Sequence, residues 1–144
     1  MPPDRRIEVL YVEDSAGDAL LTGQILAEVL PDVKLTIARD GLQALMILSQ
    51  LDFQPALIIL DLNIPVLSGF DVLERNPRKD IPIVIFSVSM RERDAEQTLF
   101  LGAREFVQKP MDMAGYRDAV VGMIRKWAMR GPEAGRAHAP RTRS

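Results

Sequence analysis

The chain has 144 residues, 47% of them hydrophobic, and a formal net charge of −2. This fits one domain of the usual ~100–200 residues and gives no electrostatic footprint of a nucleic-acid binder. It has no cysteine, which excludes disulfides, thiolate nucleophiles and sulfur-ligated metals, and no apolar stretch approaches the ~20 residues of a membrane helix.

Residues 1–6 read as a short extension, and the apolar run after "MPPDRR" is too short for a signal peptide, so a cytoplasmic location is expected. The first strand is "IEVLYV" (7–12), closed by Glu13-Asp14. A helix over 15–30 follows, with Leu21, Ile25 and Val29 on one stripe, Ser15 and Asp18 as a capping pair and Pro31 as its stop. The second strand is "KLTIA" (34–38), and the second helix, 41–51, carries Leu42, Leu45 and Leu48.

The third strand, "ALIIL" (56–60), stops at Asp61 and a turn around Pro65. A short helix near 69–76 ends before Pro77. The fourth strand, "IPIVIFS" (81–87), ends in Ser87, and its helix, about 90–101, finishes at Gly102, where a left-handed residue suits a helix end. "EFVQ" (105–108) runs into Lys109-Pro110. In the last helix, about 112–129, Tyr116, Val120, Met123 and Trp127 form one apolar stripe, read as core. Residues 130–144, "RGPEAGRAHAPRTRS", lack apolar periodicity, carry Arg136, Arg141 and Arg143 against Glu133, and read as a disordered basic tail. The sole histidine, His138, lies there, so the folded part, 7–129, offers no imidazole for a triad or a zinc site.

Short β-branched runs alternating with helical segments predict a doubly wound α/β fold with a five-stranded parallel sheet and five helices. The first, third and fourth strands are the most apolar and belong at its centre. In strand order 2-1-3-4-5, functional groups gather beyond the carboxyl ends of the strands at the switch point between the first and third. Glu13, Asp14 and Asp61 then share one crevice, and their repulsion calls for a proton or a cation. An all-oxygen set suits Mg²⁺, which accepts one or two carboxylates plus waters and phosphate oxygens.

Lys109 and a hydroxyl facing the same point complete what a phosphoryl group requires. Glu13 and Asp14, adjacent and leading into a helix, suit metal binding. Asp61 stands alone at the sheet centre. A carboxylate is ionised at neutral pH and needs no general base, so Asp61 is the candidate phosphoryl acceptor. Singly, each residue has an ordinary structural reading: Asp14 and Ser15 as helix caps, Asp61 as a turn residue, Ser87 as a strand-end hydroxyl, Lys109 as a solvated charge, Phe106 as static core. Their convergence at one sheet edge carries the functional reading.

Together "VEDS", "IILDLNIPVLSGFDVL", "IPIVIFSVS" and "GAREFVQKP" resemble the receiver domain of two-component response regulators, a CheY-like, flavodoxin-like fold, over roughly residues 5–128. The resemblance implies that Asp61 accepts phosphate from a sensor histidine kinase or phosphotransfer protein in a Mg²⁺-dependent reaction. It also implies that Asp14 binds the metal directly, Glu13 acts mainly through metal-bound water and Asn63 supplies its backbone carbonyl. Ser87 would hydrogen-bond the phosphoryl group, Lys109 would pair with it, and Phe106, where the family more often has Tyr, would be the switch aromatic. Lys109-Pro110 matches a peptide bond that is usually cis in the family.

With no output domain evident after the last helix, a stand-alone, non-enzymatic receiver signalling through protein contacts is expected. "EDSAGDALLT" and Trp127 are similar to a subgroup serving phytochrome-type sensor kinases. The family's dimerisation or docking face, made by the fourth helix, fifth strand and fifth helix, would carry Arg91, Arg93, Arg104 and Glu105. Two other readings stand beside this one. One is a phosphorylation-independent adaptor on the same fold. The other is a haloacid-dehalogenase-type phosphatase, which needs a second Asp where Asn63 stands.

Overall fold

The structure is a computed structural model and describes residues 6–89 and 91–129. Strands and helices alternate: β1 (Ile7–Val12), α1 (Ala16–Val29), β2 (Val33–Ala38), α2 (Gly41–Leu48), β3 (Leu57–Leu60), α3 (Gly69–Arg75), β4 (Ile83–Ser87), α4 (Glu92–Phe100), β5 (Glu105–Gln108) and α5 (Met113–Trp127). The strands form one parallel sheet in the order β2-β1-β3-β4-β5, as the alternation predicts.

Helices cover both faces, which is why the central strands read as unbroken apolar runs. Alternate side chains divide between two cores. Val9 and Tyr11 of β1, Leu57 and Ile59 of β3, and Val84 and Phe86 of β4 pack with α1 and α5. Leu10 and Val12, Ile58 and Leu60, and Ile83 and Ile85 pack on the opposite face with α2 and α3, where Leu101, Ala103 and Phe106 also lie. All four side chains of β3 are buried, each contributing about 1.5–3 kcal/mol relative to exposure.

The helix ends follow local chemistry. Ser15 accepts a hydrogen bond from the Asp18 amide, and Asp40 and Asp112 cap α2 and α5 in the same way. Ser68 and Asp71 form a full capping box at α3, which the sequence reading did not single out. Gly102 has φ +111°, as its place after α4 demands.

Two expectations are corrected. The helix expected over 41–51 ends at Leu48; of its expected stripe, Leu45 packs half-buried against the core and Leu48 is wholly buried, but Leu42 is 48% exposed and the deepest positions belong to Ala44 and Leu48. At about 100° per residue, Leu42 lies on the far side of the helix from these two. The Lys109–Pro110 bond is trans, since no peptide bond among the described residues is cis, in line with the ~0.5–1 kcal/mol trans preference of X–Pro bonds. The tail expected over 130–144 and most of the extension expected over 1–6 lie outside the described residues.

Candidate functional site

The sheet register brings the candidate residues together. Val12 pairs with Leu60, and Ser87 pairs with Gln108, so Glu13, Asp61 and Lys109 each take the next position at one sheet edge. Backbone bonds fix them there: the Asp61 amide donates to Val12 O at 3.1 Å, the Glu13 amide to Ala38 O at 2.9 Å, and the Lys109 amide to Ser87 O at 2.8 Å. By strand alternation Glu13 continues the row of Tyr11, Asp61 that of Ile59, and Lys109 that of Val107, all on the α1/α5 face. Ser87 and Phe106 continue the opposite rows.

Lys109 Nζ is the centre of the constellation. It donates to Glu13 Oε1, to Asp61 Oδ2 at 2.9 Å and to Asp18 Oδ2 at 2.9 Å, and lies 5.8 Å from the centroid of the Phe86 ring. The second oxygen of each buried carboxylate takes a backbone amide: Ser15 N–H donates to Glu13 Oε2 at 3.0 Å, and Asn63 N–H to Asp61 Oδ1 at 3.0 Å. Glu13, Asp61 and Lys109 are buried at 2%, 5% and 7% exposure. Every buried side-chain polar atom among the described residues has a partner.

Three carboxylates around one ammonium leave an excess of negative charge. Burial pushes Glu13 up to about 7, against the opposing pull of Lys109 and the Ser15 amide and with further upward pressure from Asp61. Burial alone would pull Lys109 down, but Glu13, Asp18 and Asp61 together hold it above the ordinary lysine value. Lys109 therefore stays a cation throughout the physiological range.

The remaining candidates are placed as follows. Asp14 is exposed beside Glu13, and the side chain of Asn63 is exposed. Ser87 is fully buried and its Oγ accepts from the Ser89 amide at 3.4 Å. Phe106 is half-buried against the α2/α3 core, beside Ile85 in register. Flanking the site is a cleft of about 350 Å³ lined by Leu62, Asn63, Phe70, Ser89, Arg91 and Asp94. The hard oxygen donors and their unbalanced charge fit a divalent ion of the Mg²⁺ or Mn²⁺ type. In this structure, however, Lys109 takes the point between the carboxylates, and no three acidic side chains among the described residues are grouped to hold an ion.

Sequence reasoning missed Asp18, read only as a capping residue: its amide does join the cap, while its carboxylate reaches Lys109. It also missed Tyr11, Thr22 and Tyr116, whose hydroxyls line up beneath Glu13. The stripe of α5 puts Tyr116 in the core, and nothing in that periodicity distinguishes a phenol from a phenyl ring.

The model of the response regulator receiver domain family matches residues 9–121. The chain is 34% identical over 128 residues to the response regulator Rcp1 of Synechocystis sp., covering 83% of this chain and 87% of that one. The Mn(2+)-bound form of Rcp1 superposes with a TM-score of 0.74 at 33% identity, over 82% of this chain and 91% of that one. The phosphorylated cyanobacterial phytochrome response regulator RcpA does so at 0.78 and 29% identity, over 85% and 94%. A protein-glutamate methylesterase/protein-glutamine glutaminase of Ralstonia nicotianae is 35% identical over 138 residues, 87% of this chain but 34% of that longer enzyme. Among the described residues no helix is long and apolar enough to cross a membrane. With the sheet order, the strand-end carboxylates and the lysine already in place, these matches settle the family: the chain belongs to the response regulator receiver domains of two-component signalling.

Proposed function

We propose that Asp61 is the phosphoryl acceptor, charged by a sensor histidine kinase or a histidine phosphotransfer protein. The observation that carries this is the seating of Asp61: it closes the central strand β3, with one oxygen on Lys109 and the other on the Asn63 amide. An Asp61 oxygen forms the new bond to phosphorus while the bond to the donor's leaving atom breaks, and that atom keeps the electron pair. Lys109 supplies positive charge to the phosphoryl oxygens. Ser87 Oγ already accepts the Ser89 amide, so its own proton is the one it donates to a phosphoryl oxygen.

Glu13, Asp14, Asp61 and the Asn63 carbonyl are the groups that would hold Mg²⁺. When bound, the ion would offset the carboxylate charge and neutralise charge on the transferring group. Ser87 and Phe106, on the same face of β4 and β5, form the conformational readout, and the chain's own chemistry is limited to gaining and losing this phosphoryl group. The likeness to RcpA supports a phytochrome-type kinase as the donor. The face made by α4, β5 and α5, with Arg91, Arg93 and Arg104 exposed and Phe100 at 89% exposure, is the docking or dimerisation surface.

The test is the intact mass of the protein after incubation with acetyl phosphate and Mg²⁺, beside an Asp61→Asn variant and a chelator control. A gain of one phosphoryl group that requires both Asp61 and the ion is the expected result. A gain retained by Asp61→Asn assigns the acceptor elsewhere, and no gain in the wild type removes the proposal.

A further inference from the structure

Beneath the acidic crevice, three buried hydroxyls stand in a line. Thr22 of α1 and Tyr11 of β1 are wholly buried and Tyr116 of α5 is 5% exposed. Thr22 Oγ1 lies 2.9 Å from Tyr116 Oη, which lies 3.0 Å from Tyr11 Oη, and Tyr11 donates to Glu13 Oε1 at 3.3 Å. The two phenol rings flank Phe86, with centroids 6.4 Å and 5.3 Å away. Phenylalanine at 11 and 116 and valine at 22 would fill nearly the same volume. Replacing both partners of a buried hydrogen bond by apolar groups of like shape is close to neutral, so packing alone does not call for these hydroxyls.

Proton accounting gives the line a direction. Each hydroxyl has one proton to donate, and Tyr11 directs its own to Glu13 Oε1. Tyr116 therefore gives its proton to Tyr11, and Thr22 gives its proton to Tyr116. Tyr116 Oη also lies 3.5 Å from the Asp18 carbonyl, a longer and weaker contact than its 3.0 Å approach to Tyr11 Oη.

The line matters because Glu13 Oε1 is shared between Tyr11 and Lys109. If Lys109 turns to a phosphoryl oxygen, as the proposed reaction requires, Oε1 loses its cation, and Tyr11 is the donor that remains. Tyr116 and Thr22 in turn fix Tyr11 from α5 and α1. We propose that Tyr11 and Tyr116 are positioning residues of the acceptor site, whose hydroxyls hold the Glu13 carboxylate in place and tie it to the packing of α5 against α1. The inference rests on the reading of this site as one that binds a divalent ion and accepts a phosphoryl group.

The test uses the full chain with Tyr11→Phe and Tyr116→Phe, each also in a Glu13→Gln background. Mg²⁺ affinity is read by calorimetry, phosphoryl uptake from acetyl phosphate as a function of Mg²⁺, and thermal midpoint as the control for folding. Loss of an outer hydrogen-bond partner typically weakens metal binding about 10-fold or more. Tyr11→Phe is expected to weaken Mg²⁺ binding about 10-fold and Tyr116→Phe about 3-fold, with uptake largely recovered at saturating Mg²⁺ and both effects absent when Glu13 is Gln. Variants whose midpoints shift while Mg²⁺ affinity stays at the wild-type value would reduce the hydroxyls to core packing and overturn the proposal, as would effects of full size in the Glu13→Gln background. Should Tyr11→Phe fail to fold, Tyr116→Phe, one hydrogen bond further from the site, decides alone. A wild type that neither binds Mg²⁺ nor takes up phosphate overturns the acceptor reading and this inference with it. A wild type that does both, beside unaffected phenylalanine variants, overturns the inference only.

Discussion

A Cβ added at Gly69 would lie 2.6 Å from the carbonyl oxygen of Asp61 and 2.7 Å from the Cα of Leu62. This residue sets how closely the start of α3 approaches the end of β3. Backbone cannot yield as a flexible side chain can, so Gly69→Ala must displace the acceptor segment; overpacking of this kind costs about 1–3 kcal/mol. The expected outcome is a thermal midpoint lowered accordingly and phosphoryl uptake slowed about 10-fold or more, since misplacement by 1 Å can cost ~10²-fold. Wild-type uptake kinetics would show that the contact does not matter. In the same loop Val66 has φ +72° and is 70% exposed. A β-branched residue in the left-handed region carries strain of roughly 1–2 kcal/mol, which asparagine largely avoids. Val66→Asn is therefore expected to stabilise by about 1 kcal/mol in urea unfolding, and an unchanged or lowered midpoint would refute it. At this scale the sequence exposes residues with one task. Asp61 and Lys109 end apolar strands and stand out, whereas Asp18 serves both a helix cap and Lys109, and the local pattern reveals only the first.

Among the elements α4 is the least anchored. Thr98 is its one buried residue, its N-cap Arg91 makes no side-chain capping bond, and Leu99 and Phe100 are largely exposed. Helices with few buried apolar contacts open at low free energy. Its amides are expected to exchange with deuterium well before those of β1, β3 and α5, and equal protection across these elements would contradict the reading. The looseness has a functional place, since α4 follows the loop of Ser87 and Ser89 and Ser89 Oγ donates to Asp94 on its first turn at 2.7 Å. Element positions were largely readable because β1, β3 and β4 are buried on both faces and leave continuous apolar runs. Short helices were less readable. In α2 Leu45 and Leu48 face the core as their spacing implies, but Leu42 does not, and the place beside Leu48 is taken by Ala44, a small residue that carries little weight in any hydropathy pattern.

At the scale of the whole molecule, the strand order and the two-residue alternation together decide what meets what. They place Glu13, Asp61 and Lys109 on one face, which follows from the sequence once the order 2-1-3-4-5 is granted, whereas Ser87, expected to face the same point as Lys109, continues the opposite row with Phe106. The union of Tyr11, Thr22 and Tyr116 does not follow, because it joins residues 94 and 105 positions apart through side-chain directions that periodicity leaves open. The assembled charge has a measurable consequence. Glu13, raised from 4.5 to about 7 chiefly by burial, holds its proton in the folded chain over a range where the unfolded chain has lost it. Its contribution to stability is therefore complete below about pH 4.5, declines as pH rises toward about 7 and is flat above. At ~1.36 kcal/mol per pKa unit this is on the order of 3 kcal/mol. Lys109 adds nothing in that window, since its raised value acts only at alkaline pH. The informative quantity is the difference between wild type and Glu13→Gln in urea unfolding with a chelator present, which isolates this one group. The variant is expected to gain on the wild type between pH 5 and 7.5, and saturating Mg²⁺ to restore the wild type at the upper end by favouring the ionised carboxylate. Parallel curves for the two proteins would mean that Lys109 and the Ser15 amide, and not burial, govern the charge of Glu13.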